Sequence, residues 1–226
     1  LPVTADELLV EQAIAREMIR VSIQWARREF PTGASGPGRG LMPWFEPIVA
    51  AGGMLTKTPT HGQTLLILLD ALQPTGVTTV VLDQNNLAAA LGAAAAVNPA
   101  LVVQVLESGT FLNLGTVISP VGSARPSTPI LNCRLVYEDG SEIKVEVKQG
   151  TIEVLPLPVG QAARLHLQPL QRYDIAMGGP GRGGSLRVVG GELGIVIDAR
   201  GRPLQLPVDA SRRSEILKKW LWTLGG

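Results

Sequence analysis

Cysteine is nearly absent from this sequence. Cys133 stands alone among 226 residues, so no intrachain disulfide can form, and a reduced, cytoplasmic setting is the simplest expectation. Histidine is almost as scarce: His61 and His166 are the only two, and no Cys/His cluster has the spacing of a metal site. An excess of charge of one sign is lacking too. Twenty Lys and Arg against 19 Asp and Glu leave a formal net charge of +1, which supplies no long-range field to gather nucleic acid or an acidic membrane surface. No apolar run reaches the roughly 18 to 20 residues that span a bilayer, and the N-terminus lacks the basic-then-apolar order of a signal peptide. Neither nucleic acid nor membrane is expected as a partner. The chain starts at Leu1 without a methionine, and it is expected to be a piece of a longer protein.

What is present is apolar and aliphatic. Leu, Val, Ile and Ala dominate a 45% apolar content with few aromatics, the composition of a packed globular core. The length suits one large domain or two ordinary ones, and a shift in composition near the middle favours two. The N-terminal half reads as α/β. Thr4 or Asp6 can cap a helix running to about Glu29, with Leu8, Leu9, Ala13, Ile14, Met18, Val21 and Trp25 recurring at three- and four-residue steps, and Glu11, Arg20, Arg27 and Arg28 on a solvated opposite side. Pro31 ends it, and residues 32–40 form a Gly/Ser/Pro loop. A short strand over 47–51 runs into Gly52 and Gly53, followed by a helix over 62–72 capped by Thr58 or Thr60, a strand over 77–82, an alanine-rich helix over about 87–97 capped by Asp83 or Asn85, and a helix from Pro99 to about Leu106.

Beyond Thr110 the period changes to that of strands. Segments 130–137 and 143–147 flank the turn Glu138-Asp139-Gly140-Ser141 as a hairpin, and further strands are expected over 151–157, 163–167, 185–189 and 193–198. About six short strands at this spacing suggest a small β-barrel or β-sandwich. A helix over 210–224 closes the chain, with Ile216, Leu217, Trp220 and Leu221 along one side. The expected division is thus 1–106, 107–209 and 210–226, with the seam at 107–109.

Four features invite a functional reading. Gly179-Pro180-Gly181-Arg182-Gly183-Gly184 fits a GxGxxG pattern formally, yet a strand follows it where the dinucleotide fingerprint needs a helix; it reads as a loop in which Arg182 offers a contact for an anion. Its first five residues repeat the Gly-Pro-Gly-Arg-Gly of 36–40, in unlike surroundings that make the match a coincidence. Asp198-Ala199-Arg200-Gly201-Arg202-Pro203 either locks a turn through ion pairs or presents Arg200 and Arg202 to a carboxylate or phosphate. With His166 these residues are also the only polar cluster visible for an enzyme built from the β-rich region, and no nucleophile–base pair accompanies them; His61, where a helix begins, reads as a capping or surface residue. The turn Ala50-Ala51-Gly52-Gly53 lies between a strand and a helix, where missing Cβ atoms let a ligand approach the backbone, although a purely structural turn accounts for it equally well.

The order Ile48-Val49-Ala50-Ala51-Gly52-Gly53, helix, strand 77–82, acidic turn at Asp83 and Leu91-Gly92-Ala93-Ala94 resembles the closing section of the second lobe of actin-like ATPases. Asp70-Ala71-Leu72-Gln73-Pro74, Leu114-Gly115-Thr116-Val117-Ile118, Gly190-Gly191-Glu192-Leu193-Gly194 and the Asp198 to Pro203 turn narrow the likeness to the glutamate mutase accessory family known as MutL or GlmL, unrelated to mismatch repair. The resemblance implies the second-lobe half of an actin-like, ribonuclease H-like fold, ATP as ligand of the full-length protein with Gly52 and Gly53 against the adenosine, and a cobalamin-dependent mutase as partner. It transfers no catalytic residue. The family's first phosphate loop, an Asp-x-Gly-Ser/Thr turn in the first lobe, is absent here; the implied N-terminal lobe would have to supply it, and this chain alone is expected neither to hold ATP tightly nor to hydrolyse it.

Overall fold

The computed structural model describes residues 2–30, 41–170 and 172–225. The expected stop at Pro31, the loop over 32–40 and the first Gly-Pro-Gly-Arg-Gly lie outside them.

Helix α1 (Ala5–Ala26) begins in a capping box: Thr4 Oγ1 accepts from the Glu7 N–H while the Glu7 carboxylate accepts from the Thr4 N–H. A single 3-10 turn, Arg27–Glu29, follows. Strand β1 (Ile48–Ala51) leads through Gly52 into a one-turn helix α2 (Gly53–Thr56), too short to register as a period in the sequence. Thr60 caps α3 (His61–Leu72), its hydroxyl accepting from the Gln63 N–H, and the helix ends with Gln73 in the left-handed region. Strand β2 (Gly76–Asp83), helices α4 (Ala88–Ala95) and α5 (Pro99–Glu107), and strand β3 (Phe111–Ser119) come next. The remainder comprises β4 (Pro129–Tyr137), β5 (Glu142–Lys148), β6 (Ile152–Leu155), β7 (Ala162–Pro169), β8 (Gly184–Val189), β9 (Ile195–Asp198) and helix α6 (Ala210–Thr223).

The strands form two open sheets and no closed barrel among the described residues. The first has the order β1-β2-β3-β9-β6 and mixes parallel pairs (β1 with β2, β3 with β9) with antiparallel ones; the second, β5-β4-β7-β8, is antiparallel throughout. Strand period places alternate residues of the first sheet in two different cores. Ile118, Ile195 and Ile197 point toward the second sheet and pack with Leu131, Leu135 and Leu165. Val117 and Val196 point the other way, into a core formed with Leu65 and Leu69 of α3 and Trp220 of α6. The layers are therefore helices, mixed sheet, antiparallel sheet.

Strand pairing crosses the expected seam at 107–109: β3, just after it, pairs with β2 along the full length of that strand, from Gly76 opposite Ser119 to Asp83 opposite Phe111. β3 itself is a strand that the expected set lacks; Asn113 and Gly115 interrupt its apolar pattern at the place where a bulge lets Val80 pair with Gly115 and Val81 with Asn113. The expectation for α1 changes. Its expected apolar stripe faces outward, with Ile14, Met18 and Trp25 exposed by 53%, 65% and 76%. The face against α3 is a different, mixed one: Ala15 is buried and Ile19 packs beside it in the core with Leu65 and Leu69, while Gln12 donates to Gln63 (2.9 Å) and Arg16 pairs with Asp70 (3.0 Å).

Candidate functional site

Parallel strands β1 and β2 end side by side, Ala51 opposite Asp83. In open α/β sheets ligands bind beyond the carboxyl ends of the parallel strands. Gly52 follows β1 with φ +107°, a conformation open to glycine and strained for other residues, and a Cβ added at Gly52 or Gly53 would meet no atom within 4 Å. The diglycine turn thus presents bare backbone to open space. Asn86, from the loop after β2, holds it in place: its Oδ1 accepts from the Gly52 N–H at 2.8 Å. Asn86 is not among the residues that stand out in the sequence, and the signal available for it was its place in an Asx-rich loop directly after a strand.

Asp83 decides which ligand chemistry fits. Its carboxylate is fully buried and accepts from the N–H groups of Leu87 (3.0 Å) and Ala88 (2.8 Å), at the start of α4. Burial alone would raise its pKa, but bonds from Leu87, Ala88, Asn85 and Asn86 outweigh burial and lower it. The α4 N-terminus, a natural anion cradle, is occupied by the protein's own carboxylate. The N–H groups of Leu87 and Ala88 at that helix start are therefore already engaged within the protein.

The arginines lie elsewhere. Arg200 and Arg202 are buried and committed to protein partners. Arg200 binds Asp198 through Nε (2.8 Å) and Nη2 (2.9 Å), reaches Asp70 with Nη1 (2.6 Å), and stacks 4.7 Å from the Trp220 ring centre. Arg202 donates to Asp198 Oδ2 (2.7 Å), the Pro74 carbonyl (2.9 Å) and the Ser119 hydroxyl (3.2 Å). Burial opposes ionisation of Asp198, yet the two guanidinium groups overcome it and hold the carboxyl far below the usual carboxylate range; Asp198 and Asp70 in turn raise Arg200 despite its own burial. No described side-chain polar atom in the interior lacks a partner, and both arginine side chains are closed off from solvent, so this cluster presents no exposed face to an incoming anion. Its geometry is that of a structural lock. Arg182 stands apart, exposed in the loop before β8, and His166 lies on β7 opposite Arg134 and Ser185, so neither joins the Asp198 cluster. His61 is at the start of α3, with its Nδ1 3.8 Å from a Glu192 carboxylate oxygen.

The motifs behind the family likeness meet one another. Asp70, Gln73 and Pro74 touch the Asp198 turn through the Asp70–Arg200 and Pro74–Arg202 contacts and through Gln73 Oε1, which accepts from the Leu204 N–H (2.7 Å). Gly191 lies so close to β3 that a Cβ there would stand 2.5 Å from the Asn113 carbonyl oxygen and 2.6 Å from the Gly115 nitrogen; Glu192 and Leu193 donate backbone bonds to Asn113 and Leu114. A hollow of about 770 Å³ on the second sheet is bordered by Arg134, Lys144, Glu146 and His166 and by Gly183 and Gly184, the end of the second glycine-rich motif. Among the described residues no group of three or more His, Cys, Asp or Glu could hold a metal ion, and no helix is long and apolar enough to cross a membrane.

The two sheets and the helices on them define a mixed α/β class, with a glycine turn at the ends of two parallel strands. Within that class, residues 1–110 match the model of a family described as MutL protein, which bears out the family likeness drawn from the sequence. No curated protein and no solved structure matches the chain.

Proposed function

We propose that the chain is the C-terminal portion of an actin-like accessory ATPase of the glutamate mutase type, with Gly52 and Gly53 forming its part of the adenosine site. The carrying observation is the open backbone of these two glycines at the carboxyl ends of β1 and β2, fixed by Asn86. The family match over residues 1–110 covers this turn and supports the reading. In it, the turn receives the base and ribose, while phosphates and Mg²⁺ are held mainly by the N-terminal lobe; this agrees with Asp83 filling the α4 N-terminus. The β-rich remainder acts as an interaction or regulatory module, and a cobalamin-dependent mutase is the partner the family suggests.

Calorimetry with ATP on the longer protein carrying both lobes tests the site. Gly53→Trp is expected to abolish binding while leaving the thermal melt unchanged, because the added side chain enters open space. Unchanged affinity would sink the assignment. A second reading, a binding protein with no nucleotide ligand, is favoured by one observation: Asn86 and Asp83 already satisfy the turn and the helix start from within the protein. Under it, neither the longer protein nor the variant binds ATP. The 226-residue chain by itself is expected to show no ATP turnover in either case.

A further inference from the structure

The outward stripe of α1 has an order of its own. Val10, Ile14, Met18, Val21 and Trp25 follow one another at steps of four, four, three and four, so at 100° per residue they fall within one narrow band of the helix. All five are exposed, while the opposite face is packed against α3 through Ala15 and Ile19 and held there by Gln12 and Arg16. Isolated exposed apolar residues are ordinary, but a continuous row along a 22-residue helix is an interaction surface.

The row is symmetric about its midpoint between Glu17 and Met18. Reversing the helix exchanges Val10 with Trp25, Ile14 with Val21 and Met18 with Glu17. The same reversal exchanges Glu7, in the first turn, with Arg28, in the 3-10 turn just beyond the helix end. Glu7 caps its own helix through Oε2 alone, which leaves Oε1 available to a guanidinium. Asp6 and Glu11 add to the acidic end, while Arg28 stands at the basic one beside a single Glu29 of opposite sign. A helix laid antiparallel on this face therefore meets apolar with apolar and acid with base, whereas a parallel copy sets like charges together at both ends.

We propose that α1 is a homodimerisation helix, pairing antiparallel with α1 of a second copy of this chain around a two-fold axis near Met18. Such an interface is self-complementary, with each contact made twice. The proposal is independent of the nucleotide site, because the stripe lies on the side of α1 turned away from α3.

Sedimentation equilibrium of the 226-residue chain is expected to show a concentration-dependent dimer. Ile14→Asp, which puts a charge into the seam from each copy, is expected to raise the dissociation constant by about a hundredfold or more; Ile14 is exposed, so the fold should survive, as its melt would show. Crosslinking gives a readout that does not depend on that variant. A mixture of Val10→Cys and Trp25→Cys chains should oxidise preferentially to the mixed disulfide, and Met18→Cys should crosslink to itself, since disulfides need Cα atoms within about 7 Å. The native Cys133 is buried and does not compete. A chain that stays monomeric at all concentrations overturns the proposal and assigns the stripe to a different protein surface. A dimer that is indifferent to Ile14→Asp, or in which Val10→Cys joins mainly to itself, overturns it equally.

Discussion

Asp198 ties together two buried arginines from one turn. It neutralises two buried guanidinium groups at once, and through Arg200 it connects to Asp70 and so to Arg16 of α1. Removing one partner of a buried ion pair leaves the other charge uncompensated, at a cost of about 3 to 5 kcal/mol. Asp198→Asn is therefore expected to lower stability by that order in urea unfolding; a loss below about 1 kcal/mol, the range of exposed pairs, would refute the role. The pH dependence has a fixed sign. Asp198 is depressed in the folded protein, so its contribution is fully present above the unfolded carboxylate value of about 3.9 and is lost as the pH falls below it. Asp198→Asn should flatten the acid limb of the stability curve. Cys133 behaves in the opposite way: burial, reinforced by the Glu153 charge, pushes its thiol up to about 12, so alkylating and disulfide reagents at mildly alkaline pH should label it only on unfolding. Rapid labelling of the native protein would contradict its place in the core.

The elements differ in how openly the sequence announces them. The hairpin β4–β5 is legible because Gly140, at φ +84°, and Asp139, whose carboxylate accepts from the Ser141 N–H, encode the turn locally. Helix α3 and its Thr60 cap, and helix α6 with Trp220 inward, are equally local matters of cap and period. The orientation of α1 is not. A stripe at helical spacing states that one face is apolar, but α1 has a second face able to pack, and partners distant in the sequence decide between them: here the core beside α3 takes Ala15 and Ile19, with Gln63 and Asp70 engaging Gln12 and Arg16. The dual character of Asp198-Ala199-Arg200-Gly201-Arg202 is visible in the sequence; only the arrival of Pro74, Ser119 and Asp70 from other elements resolves it into a lock. The same long-range dependence makes the crossing of Gly191 over β3 testable. A Cβ there meets backbone atoms, which cannot rotate away, so Gly191→Ala is expected to cost about 1 to 3 kcal/mol through forced displacement of the chain. A melt unchanged from the parent would show that the two segments are not in such close contact.

At the scale of the molecule, the question is whether the β-rich region stands alone. The core between the two sheets is drawn almost entirely from residues beyond the 107–109 seam, including Leu131, Leu135, Leu165 and Ile195, and by itself it would support an autonomous unit. The other face of the first sheet argues against autonomy. Leu114, Val117, Ile152 and Val196 are covered there by α3 as well as α6, and the edge of β3 is paired to β2. A chain of residues 110–226 would keep the inner core but bare this apolar face and leave β3 as an unpaired edge, the arrangement that invites strand addition and association. Each of those four side chains stands to lose some of the roughly 1.5 to 3 kcal/mol that complete burial contributes. The truncated chain is accordingly expected to retain β-type circular dichroism while binding a hydrophobic dye, melting at a lower temperature than the full chain and self-associating. A monomeric piece with the parent's melting temperature and no dye binding would mean that the seam is a true domain boundary, and that the β2–β3 pairing joins two units that fold independently.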